Sequence, residues 1–179
     1  LSNLARLREV DGDELEAEEL AHKAAKAGLT DTLVDLAHIR ELQGDLERAE
    51  LLYRQAARAG SSRALADLAN LLEQTGDSKG AEQMARKAVK AGRTRTLIDL
   101  ARQREEAGDY AGAEAMAQEA VRSGSHDTML SLAAMREHQG NLKRAEALYR
   151  TAAEGGDTLA LVELARLRRQ AGDLEGAEA

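Results

Sequence analysis

A thirty-two-residue period, unbroken by any insertion or deletion, constrains this chain more than any other feature of its 179 residues. Ala-Glu pairs stand at 17/18, 49/50, 81/82, 113/114, 145/146 and 177/178. Glycines recur at 12, 44, 76, 108, 140 and 172, and a second glycine series at 28, 60, 92, 124 and 156. A period of this length implies stacked units that each pack mainly on their neighbours, so chain length counts units and not the size of one central core. The expected organisation is a single repeat array over 1–179. It comprises a partial hairpin at 1–28, repeats at 29–60, 61–92, 93–124 and 125–156, and an incomplete hairpin at 157–179. Both ends cut through hairpins, which reads as a segment of a larger protein.

Within one period the apolar spacing is helical. Leu33, Leu36, Ala37 and Ile39 mark a helix from about Asp31 to Gln43, and Leu46, Ala49, Leu52, Tyr53 and Ala56 mark its partner to about Ala59. The same reading places helices at 13–27, 63–75, 78–91, 95–107, 110–123, 127–139, 142–155 and 159–171. The chain has no proline, so the task of stopping helices falls to glycine. Gly44 can take positive φ at the end of the first helix, and Asp45 can cap the second. The link between them is too short for anything but an antiparallel hairpin. Equivalent Gly-Asp pairs at 12/13, 76/77, 108/109 and 172/173, with Gly140-Asn141, make this position a cap and not a set of catalytic acids. Ser61, Thr94, Ser125, Asp157 and Thr30 are placed to cap the helices after the second glycine series.

Aromatic residues make up only 2%, and Ala and Leu supply much of the apolar content, which favours close helix packing over small side chains. With no cysteine, disulfides and thiolate metal sites are excluded; a reducing, cytoplasmic location is expected. No apolar run reaches membrane-spanning length, and the net charge of −7 argues against broad nucleic-acid binding. The four histidines, at 22, 38, 126 and 138, lack zinc-ligand spacing, and no glycine-rich phosphate loop is present. The expectation is therefore no catalytic residue, no metal and no cofactor.

Leu36-Ala37, Gly44-Asp45-Leu46, Ala49, Tyr53 and Ala56 together resemble the tetratricopeptide repeat: an apolar-small pair, a turn glycine, a small residue and an aromatic-plus-alanine ending. Ala56-Ala57 before Gly60, and Ala152-Ala153 before Gly156, resemble the ending of Sel1-like repeats equally well. The resemblance covers practically the whole chain, as a short thirty-two-residue variant. It departs from the family in its shorter Ala-Gly linkage, its lack of proline and the alanines at 21, 85 and 117 where Tyr53 and Tyr149 keep the aromatic. The fold that it implies is an all-α, right-handed superhelix of antiparallel helical hairpins, a solenoid.

The resemblance also implies that the first helix of each hairpin lines a concave groove. Its inward positions are then Val34, His38 and Glu41, followed by Arg63, Asn70 and Glu73. Arg95, Ile98, Asp99 and Arg102 follow, then Asp127, Leu130, Ala134 and His138, and finally Val162, Glu163 and Arg166. Both charge signs beside aliphatic patches suit a peptide or protein more than one small ligand. A family subclass clamps a terminal carboxylate with Lys, Asn and Arg; Arg95 agrees with that pattern, but Val34, His38, Asp67 and Asp99 occupy its other positions here, so that specificity is not expected.

Charge is uneven. Residues 1–50 balance at −7, whereas 81–104 carry +5, which would steer an acidic partner. The function expected is a noncatalytic protein-interaction scaffold. The alternative is an array that self-associates end to end through its truncated hairpins.

Overall fold

Asp45 shows how each hairpin closes. Its own backbone N–H donates to Arg40 O at 2.9 Å while Gly44 N–H donates to Glu41 O at 3.0 Å, the paired bonds of a Schellman motif. Gly44 sits at φ 83°, where a side chain would be strained. The Asp45 carboxylate then turns forward and accepts from Arg48 N–H at 3.2 Å, so one Gly-Asp pair ends one helix and starts the next. All eleven glycines of the two periodic series have positive φ, and no other described residue does.

The computed structural model describes residues 4, 5, 8, 12–170 and 172. Among them are ten helices and no strand: α1 (Glu14–Lys26), α2 (Asp31–Leu42), α3 (Leu46–Arg58), α4 (Ser62–Gln74), α5 (Ser78–Lys90), α6 (Arg95–Glu106), α7 (Tyr110–Arg122), α8 (Asp127–His138), α9 (Leu142–Glu154) and α10 (Thr158–Gln170). Each lies within a residue or two of its sequence-based position. None of the described helices is long and apolar enough to cross a membrane. The expected cap at Asp173 and most of the opening helix lie outside the described residues.

The chain forms two compact units, 1–96 and 97–179. In the first, α1 through α5 pack each on the next, and α2 also touches α4, as stacked hairpins require. In the second, α7 through α10 pack in the same succession. Alanine allows the close approach: Ala17, Ala49, Ala81, Ala113 and Ala145, the first letters of the Ala-Glu pairs, are all fully buried. Leu52, Tyr53, Leu68 and Leu72 fill the first unit; Met129, Leu132, Leu148 and Tyr149 fill the second.

Capping departs from expectation at three places. Asp13, Asp45, Asp77 and Asp109 cap through their side chains, but Asn141, with nearly the same backbone angles, makes no side-chain cap bond. Ser61 and Asp157 cap as expected, accepting from Ala64 and Ala160 N–H, whereas Thr30 does not. Thr30 already has helical angles (φ −69°, ψ −23°), so it lacks the extended backbone that aims a hydroxyl back at the first turn. Before α8 the cap position belongs to His126, not Ser125, and it too is helical. The His126 ring lies against Gly155 instead; a Cβ on Gly155 would stand 2.7 Å from the ring.

Candidate functional site

The surfaces available to a partner are set by an arginine series that holds the first helices in place. Arg40 is 1% exposed along its side chain and reaches Glu14 at 3.2 Å and Glu18 at 4.0 Å on the preceding hairpin. Ninety-six residues later, Arg136 repeats the arrangement. It donates to both Glu105 oxygens at 3.0 and 3.1 Å, to the Tyr110 carbonyl at 3.3 Å and to Glu114. Arg168 reaches Glu146 at 3.2 Å. Burial opposes the charge on Arg136, but its hydrogen bonds to Glu105 and Glu114 outweigh it and hold its pKa above the ordinary value. Glu18, Glu114 and Glu146 are the second letters of Ala-Glu pairs, which gives that motif its physical meaning: the alanine admits the neighbouring helix and the glutamate receives that hairpin's arginine. Sequence reasoning missed this. The signal was present, because arginine recurs at 8, 40, 104, 136 and 168, with Leu72 breaking the series. At the break, Glu50 pairs with Arg54 on its own helix.

In the second unit, α8, α9 and α10 enclose a cleft of about 510 Å³. Leu130, Ala134 and His138 from α8 line it with Arg166 from α10, so four inward positions expected from sequence converge there; Glu163, a fifth, joins them. Ser131, Glu137, Tyr149 and Leu159 complete the lining. Arg166 donates to both Glu137 oxygens at 2.8 and 2.7 Å and to Glu163 at 2.7 Å; these bonds raise its pKa above the ordinary guanidinium value. The Tyr149 hydroxyl donates to the same Glu137 at 3.3 Å. Burial first, and then the Glu137 charge, push the phenol pKa up to about 12. The result is an apolar strip, Leu130 and Leu159, beside a fixed cation in an acidic setting. Val162, by contrast, is exposed on α10 and is not part of the lining.

The first unit has the same positions filled differently. Tyr53 O–H donates to Glu41 at 2.9 Å, so its oxygen is left to accept from His38 Nδ1 at 3.2 Å, which requires the proton on that nitrogen. Burial, followed by the Glu41 bond, raises the Tyr53 pKa above that of free tyrosine. Arg63 reaches Asp35 at 3.3 Å and Asp67 at 3.6 Å. Burial raises the Asp67 pKa, with Arg63 opposing. His38 stands where Ala134 leaves space in the second unit, and Arg63 stands where Leu159 does. These larger polar side chains bond across the equivalent surface. Val34 is fully buried and supports this surface from beneath, whereas Asn70 is half-buried.

Arg95, Ile98 and Arg102 do not line the cleft of the second unit. Arg95 is exposed and belongs to the first unit; Ile98 is half-buried and Arg102 exposed in the second, where Arg102 pairs with Asp99 at 3.3 Å. Among the described residues no three or more His, Asp or Glu side chains form a metal site. Tyr149 and Glu137 are absent from the inward positions expected from sequence, although Glu41 and Glu73, which hold Glu137's place in earlier repeats, are among them.

One tetratricopeptide-repeat family model matches residues 32–62, and a second matches 62–87 and 94–119. No curated protein matches the sequence. Among solved structures, Pseudomonas aeruginosa pilF is similar at 19% identity and a TM-score of 0.52, over 99% of this chain and 85% of that one. A tetratricopeptide repeat protein from Parabacteroides merdae is similar at 19% identity and a TM-score of 0.52, over 98% of this chain and 74% of that one. At this identity the likeness concerns the fold.

Proposed function

We propose that this chain, which tetratricopeptide-repeat family models match over 32–62, 62–87 and 94–119, is a noncatalytic interaction scaffold whose second unit holds a peptide segment in the cleft between α8 and α10. The observation that carries this reading is the cleft itself, where Leu130 and Leu159 offer apolar contact beside an Arg166 fixed by Glu137 and Glu163. A preset guanidinium costs little ordering on binding, and the apolar strip supplies the area that a polar pair alone lacks. Peptides selected from a display library against the full chain would be titrated calorimetrically and then repeated with Leu130→Ala and Arg166→Ala. Each substitution should weaken the best peptide by about five- to thirtyfold, the range of a central interface contact. Unchanged affinity in both variants removes the cleft from the function.

A further inference from the structure

A second docking surface lies in the first unit, on the side of the second helices. There α3 and α5 part over α4 to leave a notch of about 440 Å³. Leu65 and Leu68 of α4 and Met84 of α5 form its floor; Arg54 and Arg58 of α3 and Lys87 of α5 form its rim. Arg54 has Glu50 as an i,i+4 partner, whereas neither Arg58 nor Lys87 has an acidic partner among the described residues. Lys87 lies in the 81–104 stretch that carries +5 within a chain of net charge −7. Arg58 and Lys87 do lie in the last turns of their helices, where a cation complements the helix dipole. That effect requires no apolar floor beneath them.

The repeat supplies an internal control. The corresponding notch between α7 and α9 is only about 140 Å³. Gln118 and Thr151 line it where Arg54 and Lys87 stand in the first unit, Arg122 keeps the place of Arg58, and Arg144 and the Arg136–Glu114 pair occupy the rest of the wall. Val121 takes the place of the smaller Ala57. The wide notch thus occurs where the arginine series is interrupted at Leu72, and Lys87 joins its rim where the narrow one has Thr151.

We propose that this notch docks an acidic peptide segment that places one aliphatic side chain on Leu65, Leu68 and Met84 and sets its carboxylates against Arg58 and Lys87. Cations contributed by two helices match several acids spaced along a chain better than one terminal carboxylate. Leu65 and Met84 stay partly exposed over the buried Leu68, which leaves one side open, as a passing peptide needs, whereas a small amphiphile requires nearly full enclosure. Met84 adapts to the shape of the anchoring side chain.

The test uses the full chain and a short fluorescent probe peptide of glutamates around a single leucine, with an otherwise identical probe carrying alanine. Anisotropy should show the leucine probe binding about fivefold or more tightly than the alanine probe, with affinity falling as salt rises. The double variant Arg58→Glu/Lys87→Glu, verified by its circular dichroism melt, should bind at least about tenfold more weakly. Leu65→Ala, which keeps the rim, should abolish the preference for leucine over alanine. The proposal is overturned if the leucine probe does not bind at millimolar concentration, if the charge-reversed variant binds within twofold of the parent, or if the two probes bind alike. It is also overturned if the parent self-associates with concentration and the charge-reversed variant does not, because the occupant is then a second copy of the chain.

Discussion

Tyr149 carries a proton that folding makes hard to remove. The unfolded phenol ionises near its model value of 10.0, while the folded one, shielded and bonded to Glu137, holds its proton to about 12. Between these values the unfolded chain loses a proton that the folded chain keeps, so the contribution is intact below pH 10 and is lost as pH rises to 12. The parent should therefore lose roughly 2 kcal/mol more stability than Tyr149→Phe across that window. Urea denaturation at pH 9 and pH 11.5 measures the difference, and parallel losses would refute the linkage. That Tyr53 and Tyr149 pack was legible in the sequence, because alanine replaces them elsewhere; their hydrogen bonds were not. Those bonds depend on glutamates twelve residues earlier on the facing helix, a relation that no short motif records.

At the scale of elements, the turns were the most legible part of the chain. Glycine followed by aspartate states both a left-handed backbone and a cap, and Gly44 and Asp45 perform both roles. Open space surrounds the position of a Cβ at Gly44, so a substitution is strained by φ alone. Gly44→Val should cost at least about 1–2 kcal/mol, read as a lowered thermal midpoint; an unchanged midpoint would remove the turn assignment. What joins α6, α7 and α8 was harder to read, because arginine at a buried position looks like a surface letter. The Glu105 side chain is fully buried against Arg136. Arg136→Met should therefore cost about 3–5 kcal/mol by leaving that carboxylate unpaired, and the double variant with Glu105→Leu should recover most of the loss. A double variant no more stable than the single one would show that the pair is not what the site requires.

For the molecule as a whole, the all-α hairpin architecture follows from a period that can be counted by eye. Its division into units at 96/97 leaves no mark in that period, because the register passes through α6 unchanged. In such an array stability is a sum of repeats and nearest-neighbour interfaces. Leu52→Ala, at a position 1% exposed in α3, should cost about 2–5 kcal/mol. Amide exchange should accelerate most in α2, α3 and α4 and least in α1. An equal acceleration throughout the first unit would indicate one cooperative core instead.

The arginine that crosses from one hairpin to the last has a consequence for how such a chain can change its length. Arg40, Arg136 and Arg168 each address a glutamate twenty-two residues earlier, at Glu18, Glu114 and Glu146. Cutting and rejoining the gene between equivalent points of two repeats leaves that spacing intact, because donor and acceptor are inherited in the same phase. Unequal recombination can then add or delete thirty-two residues at a time without stranding a buried charge, and a junction at Leu72 is one where the spacing need not be honoured at all.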